Sequence, residues 1–127
     1  MNVKQISVFV ENKSGTLMEV TGILAEAGVN LEALNIAETN EYGIVRIIAD
    51  DTAKAVDALI GSGFVIKVTP VIVAAVPNVA GGLNTVLEKI AAAGINIEYM
   101  YSIFGGKDAD SKMVFKTDKP EELAKII

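Results

Sequence analysis

The sequence predicts an α+β fold of two tandem βαββαβ units with antiparallel sheets, the second unit lacking its last strand. Three observations carry this expectation. The run Asn12-Lys13-Ser14-Gly15-Thr16-Leu17 through Gly28-Val29-Asn30-Leu31-Glu32 returns 66 positions later, as Asn78-Val79-Ala80-Gly81-Gly82-Leu83 through Gly94-Ile95-Asn96-Ile97-Glu98. The copies agree at Asn12/Asn78, Gly15/Gly81, Leu17/Leu83, Val20/Val86, Ala25/Ala91, Ala27/Ala93, Gly28/Gly94, Asn30/Asn96 and Glu32/Glu98, which marks an internal duplication. Each copy also passes from a strand pattern to a helical one and back. Finally, a chain of 127 residues holds one ordinary domain or two very small ones, and the repeat selects two, residues 1–69 and 70–127.

In the first unit, Val3 to Val10 alternates, with Ile6, Val8 and Val10 on one side and Ser7 and Phe9 on the other, which predicts a strand. After the Asn12 to Gly15 loop, Leu17, Val20, Leu24 and Ala27 share a helical face, and Gly28 stands where a helix stops. Leu31 to Thr39 and Ile44 to Ala49 read as strands joined by the hairpin turn Asn40-Glu41-Tyr42-Gly43. Asp50-Asp51-Thr52 supplies an N-cap for a helix carrying Val56, Leu59 and Ile60, ended by Gly61 or Gly63. Phe64 to Val68 is the fourth strand. The order is the ferredoxin-like split unit, with both helices on one face of a four-stranded sheet.

The second unit begins at Pro70 or Val71 without a linker. Val71 to Val76 is its first strand, and Leu83, Val86, Leu87, Ile90 and Ala93 form its first helical stripe. Ile95 to Phe104 and Met113 to Lys116 are its next strands, around a turn at Gly105-Gly106-Lys107-Asp108. One extra residue in that turn moves the repeat offset to 67, so that Asp51 matches Asp118 and Leu59-Ile60 match Ile126-Ile127. Asp118 with Glu121 is a candidate capping box around Pro120. No counterpart of Phe64 to Val68 follows. The strand Val71 to Val76 is therefore expected to have an apolar open edge, covered by a partner subunit unless the sequence is truncated there.

Composition narrows the function. The chain has no cysteine and no histidine, so it lacks the commonest general base, the commonest activated nucleophile and the usual transition-metal ligands. None of the sixteen carboxylates pairs with another in an apolar setting that would tune the two apart. No catalytic residue, cofactor or metal is expected. A net charge of −5, with scattered basic residues, disfavours nucleic acid. The longest apolar run, Val71 to Val76, is too short to span a membrane. With no leader pattern and no cysteine framework, a cytoplasmic location is expected. The 51% hydrophobic content and mean hydropathy of +0.44 suggest sheet faces that need covering, by the other unit or by another chain. A homo-oligomer is the corresponding expectation.

Asn12-x-x-Gly15 and Asn78-x-x-Gly81 lie between a strand and a helix start. Unpaired helix amides suit a carboxylate, glycine admits a ligand to the backbone, and an asparagine amide both donates and accepts. The plainer reading is turn chemistry, with asparagine bonding to its own loop. Glu32 and Glu98 read as solvated strand residues, and Tyr99 and Tyr101 as packing aromatics on one strand face.

The runs Val10 to Leu17 and Ile23 to Glu32 resemble the ACT domain, a ferredoxin-like regulatory module of amino-acid metabolism. They are similar in particular to the ACT domain of the acetohydroxyacid synthase regulatory subunit. Pro77 to Glu98 resembles the module as well. The sequence departs from it where Lys13-Ser14 and Val79-Ala80 stand in place of a proline before the glycine, and in the missing last strand. The resemblance implies a small-molecule ligand, usually an amino acid, between the strand-to-helix loop of one unit and the second strand of another. Carried over, the loop residues are Asn12, Gly15, Thr16 and Leu17 with Asn78, Gly81, Gly82 and Leu83, and the strand-start residues are Asn30, Leu31, Asn96 and Ile97. The Asn12 loop, which heads the complete unit, is the first choice if one site works. The implied roles are an amino-acid sensor, a regulatory subunit of a biosynthetic enzyme such as acetohydroxyacid synthase, or a dimerisation module without ligand.

Overall fold

The computed structural model describes residues 2–38, 41–103 and 110–127. Among them are six strands and four helices: β1 (Asn2–Glu11), α1 (Thr16–Glu26), β2 (Leu31–Glu38), β3 (Tyr42–Ala49), α2 (Thr52–Gly61), β4 (Val65–Pro77), α3 (Gly82–Ala92), β5 (Ile97–Ser102), β6 (Asp110–Thr117) and α4 (Pro120–Ile126). The expected turn Gly105-Gly106-Lys107-Asp108, the end of the expected strand at Phe104, and Thr39-Asn40 of the first hairpin lie outside the described residues. The chain divides into two compact units, Lys4–Thr69 and Pro70–Ile127, the latter counting residues 2–3 with it.

In the Lys4–Thr69 unit the strands run β2-β3-β1-β4, antiparallel where the register is defined, with Ile6 opposite Ile47 and Val8 opposite Val45. This is the order a split unit requires. The alternation of β1 puts Ile6, Val8 and Val10 on the helix-covered face, where they meet Val20 and Leu24 of α1 and Ala55 and Leu59 of α2 in one core. Phe64 and Ile66, on either side of the start of β4, pack partly buried against that core. α1 ends in a Schellman arrangement, the Val29 N–H donating to the Leu24 carbonyl at 3.0 Å, and α3 repeats it from Ile95 to Ile90 at 3.2 Å. Asp51 caps α2 as expected, its Oδ1 accepting from the Lys54 amide at 3.1 Å.

In the Pro70–Ile127 unit the order is β4-β6-β5, with Ile72 opposite Phe115 and Met100 opposite Phe115 on its other side. Ile72, Val76, Val86, Ile90, Phe115 and Leu123 form its core. Tyr99 and Tyr101 stack on the other sheet face with centroids 6.4 Å apart and planes 15° from parallel.

Two expectations are corrected. The strands expected at Phe64–Val68 and Val71–Val76 are one 13-residue strand, because no turn residue separates them and the fixed φ of Pro70 is compatible with extended backbone. The capping box at Asp118 does not form. α4 begins one residue later, with Lys119 as N-cap and Pro120 at the start. The Asp118 carboxylate instead accepts from the Thr117 hydroxyl at 3.1 Å, and that hydroxyl accepts from the Lys119 amide at 3.2 Å.

Candidate functional site

Each unit repeats one local construction where its first strand leaves the sheet. The loop ends on a glycine in the left-handed region, Gly15 at φ 90° and Gly81 at φ 80°, and a helix starts there. A side chain at either place would be strained, which explains the repeated glycine. Among the described residues neither helix has a side-chain cap; the Thr16 and Gly82 amides donate to the Lys13 and Val79 carbonyls at 3.4 and 3.0 Å, and the next amides of each first turn are left for another acceptor.

In the first unit this helix start opens into a cleft of about 300 Å³, lined by Phe9, Val10, Glu11, Lys13, Thr16, Glu19, Ser62, Gly63 and Phe64. Thr16 is only 7% exposed, and its Oγ1 is buried with no hydrogen-bond partner among the described residues. A buried hydroxyl left unpaired costs about 1–3 kcal/mol, and this one belongs to a residue of the cleft wall. The Lys13 ammonium lies 3.2 Å from the Glu11 carboxylate, both well exposed, so each retains contact with solvent and with anything that enters. Thr16 and Glu19 stand three apart in the first turn of α1, and Lys13 stands three residues earlier, in the loop before it. That spacing is the signal by which the sequence could have shown Lys13 and Glu19 as cleft residues. Nothing local could have shown Ser62, Gly63 and Phe64, which arrive from the connection between α2 and β4.

The second unit has the corresponding cleft, larger, at about 680 Å³. Ala75, Pro77, Val79, Gly82 and Thr85 hold the places of Phe9, Glu11, Lys13, Thr16 and Glu19, each 66 positions on. Three charged side chains and a buried hydroxyl are thereby exchanged for apolar or small groups. Val73, Ala74, Ala80, Gly81, Val86, Lys89 and Ile127 complete the wall.

Of the residues expected at a site, Thr16, Gly81 and Gly82 line these clefts. Asn12, Gly15, Leu17, Asn78 and Leu83 belong to the same loops and helix starts but not to the cleft linings. Asn12 braces its loop against the β2–β3 hairpin: its Nδ2 donates to Glu38 at 3.3 Å and its amide to the Glu41 carbonyl at 2.9 Å. Asn30 is held by Asp50, whose carboxylate accepts from the Asn30 amide and whose amide donates to the Asn30 carbonyl, both at 3.0 Å. Leu31 and Ile97 pack against the cores of their units, and Asn96 is exposed. Within each unit, then, the strand-start residues stay apart from the cleft. Glu98 pairs with Lys116 at 2.8 Å and Glu32 is exposed, in keeping with solvated strand positions. Among the described residues no group of three or more His, Cys, Asp or Glu could hold a metal ion, and no helix is long and apolar enough to cross a membrane.

A family model described as an ACT domain pair matches residues 1–127. The crystal structure of a Bacteroides thetaiotaomicron protein is similar with a TM-score of 0.92 and 40% identity, over 99% of this chain and 86% of that one. The ligand-free regulatory subunit of aspartate kinase from Thermus thermophilus shares the fold, with a TM-score of 0.70 and 15% identity over 97% of this chain and 89% of that one. The acetolactate synthase small subunit of Buchnera aphidicola subsp. Baizongia pistaciae is 34% identical over 47 residues, which is 37% of this chain. That match takes in only 30% of the subunit's length.

Proposed function

The chain belongs to the ACT domain pair family, and from that premise we propose that it is a non-catalytic regulatory protein that binds an amino acid at the start of α1. The observation that carries this reading is an uncapped helix start in the wall of a cleft, where Thr16 holds a buried hydroxyl without a partner among the described residues. An amino acid has the matching groups. Its carboxylate accepts from first-turn amides and from the Thr16 hydroxyl, with Lys13 at the mouth, and its ammonium meets Glu19 or Glu11. Asn12, Gly15 and Leu17 shape the loop, and in the arrangement that the family suggests Asn30 and Leu31 reach the ligand from a neighbouring unit. The second-unit residues Asn78, Gly81, Gly82, Leu83, Asn96 and Ile97 form the weaker counterpart, since the residue at the Thr16 place is glycine. Regulation follows if the ligand binds one packing of the units better than another, by the ratio of its affinities for the two.

Thermal unfolding against a panel of the common amino acids tests this. A ligand at ten times its Kd stabilises by about 1.4 kcal/mol, a rise in Tm of roughly 6 °C for a chain of this size. No rise with any amino acid at millimolar concentration would sink the sensor reading and favour a dimerisation module without ligand.

A second reading, a subunit that controls a separate biosynthetic enzyme, is favoured by the likeness to the acetolactate synthase small subunit. Co-purification of a large thiamine-diphosphate enzyme with the tagged chain tests it. Self-association belongs to either reading. Phe9 and Tyr42, 44% and 64% exposed, flank an apolar hollow of about 250 Å³ with Ala37 and Ile44 on the sheet face opposite the helices, a surface suited to a second copy. Light scattering that reports a monomer at all concentrations would refute that part.

A further inference from the structure

We propose, resting on the amino-acid reading above, that the cleft at the start of α1 selects a diamino acid, one with a second ammonium at the end of its side chain, and that Glu19 makes the selection. Glu11, Lys13 and Glu19 are the charged residues of the cleft wall, two anions against one cation. Lys13 is engaged, its ammonium 3.2 Å from the Glu11 carboxylate. The Glu19 carboxylate has no hydrogen bond or ion pair among the described residues. The α-carboxylate and α-ammonium of any amino acid cancel in charge, so a neutral amino acid leaves the wall its surplus negative charge. A second ammonium on the ligand offsets that charge, and a second carboxylate is repelled by it.

The fold does not call for these charges. Helix α3 starts as α1 does, and at the places of Glu11, Lys13 and Glu19 its unit carries Pro77, Val79 and Thr85. Five of the nine lining residues of the α1 cleft, Glu11, Lys13, Thr16, Glu19 and Ser62, are polar or charged, so a branched apolar side chain would take their water and return no bond. Thr16 and Glu19 stand about 4.5 Å apart along the helix axis, at about 1.5 Å per residue. An α-carboxylate held at the first-turn amides therefore leaves the ammonium of a lysine-length side chain within reach of Glu19. At about 300 Å³ the cleft has the size that takes one small molecule.

Glu19 also suits the positive end of the helix dipole whether or not a ligand binds, and the experiment separates the two roles. L-lysine, L-norleucine and L-glutamate are titrated into the full chain by calorimetry, norleucine having the lysine side chain without its ammonium. Lysine is expected to bind about fivefold more tightly than norleucine, the scale of one partly exposed ion pair, and glutamate more weakly than either. Glu19→Gln, a change at an exposed position that leaves the fold intact by circular dichroism, brings lysine to within about twofold of norleucine and leaves norleucine as it was. A helix-dipole role alone would lower stability and leave that ratio where it stood. Norleucine or glutamate binding as tightly as lysine overturns the proposal and spares the amino-acid reading, as does a ratio that Glu19→Gln does not move. No binding by these three or by any other common amino acid at millimolar concentration overturns both.

Discussion

Replacing Gly82 with alanine is expected to destabilise this protein, although the same exchange usually strengthens a helix. Gly82 is the first residue of α3 and is buried. A Cβ built there overlaps the Pro77 carbonyl oxygen and lies 2.9 Å from the carbonyl carbon and 3.2 Å from the Pro77 Cβ. These are backbone and ring atoms, which cannot swing away, so α3 or the end of β4 has to move. Overpacking of this kind costs about 1–3 kcal/mol, and the helix-propensity and unfolded-state gain of Gly→Ala returns up to about 1 kcal/mol. Taking the middle of that cost, about 2 kcal/mol, against a gain of up to about 1 kcal/mol, the net loss is about 1–2 kcal/mol. At roughly 4 °C per kcal/mol for this chain length, Tm falls by about 4–8 °C. Gly22→Ala is the control. Gly22 lies inside α1, and a Cβ there meets no heavy atom within 4 Å, so stability rises by about 0.5–1 kcal/mol and Tm by roughly 2–4 °C. Paired thermal and urea unfolding of the two variants decides the matter. A Gly82→Ala protein as stable as the parent, or more stable, would show that the close approach to Pro77 is not a packing constraint.

Thr16→Val removes the unpartnered buried hydroxyl while keeping its shape, so the ligand-free protein gains about 1 kcal/mol in urea unfolding, and any Tm response to an amino acid disappears. Asp51→Ala deletes the cap of α2 and lowers stability by about 1 kcal/mol in the same measurement. Phe115→Ala empties the centre of the second core, where the ring is fully buried, and costs about 3–5 kcal/mol. An exposed dye-binding surface in that variant at 25 °C would be the corresponding spectroscopic sign.

Much of the fold was legible because its determinants are local. The alternation from Val3 to Val10 puts Ile6, Val8 and Val10 in the core and leaves Phe9 exposed, although Gln5 and Ser7 are buried as well, and Gly28 and Gly94 mark helix ends closed by the same backbone bonds. Asp51 caps α2 because its side chain needs to reach only three residues ahead. Two local readings failed where a local rival competed. Asp118 was drawn to the Thr117 hydroxyl, so that α4 starts after Lys119 without a side-chain cap, and Pro70 continued a strand across an expected break. The candidate site was less legible. The repeat pointed to the Gly15 and Gly81 loops, yet Asn12 turns to Glu38 and Asn30 to Asp50, pairings 26 and 20 residues apart that no short motif encodes.

By itself the sequence determined the duplication, the strand and helix periods, the glycines at the helix starts and the absence of cysteine and histidine. These depend on residue type and on spacings of a few residues, which any chain carries in one dimension. Only the tertiary structure decided that the Thr16 hydroxyl is buried without a partner and that Gly82 sits against Pro77. It also decided that residues 62–64 come to line the cleft beside Thr16. A cleft is the space left between segments distant along the chain. Its size and polarity arise when β1, α1 and the connection before β4 meet, and no repeat or motif fixes them beforehand.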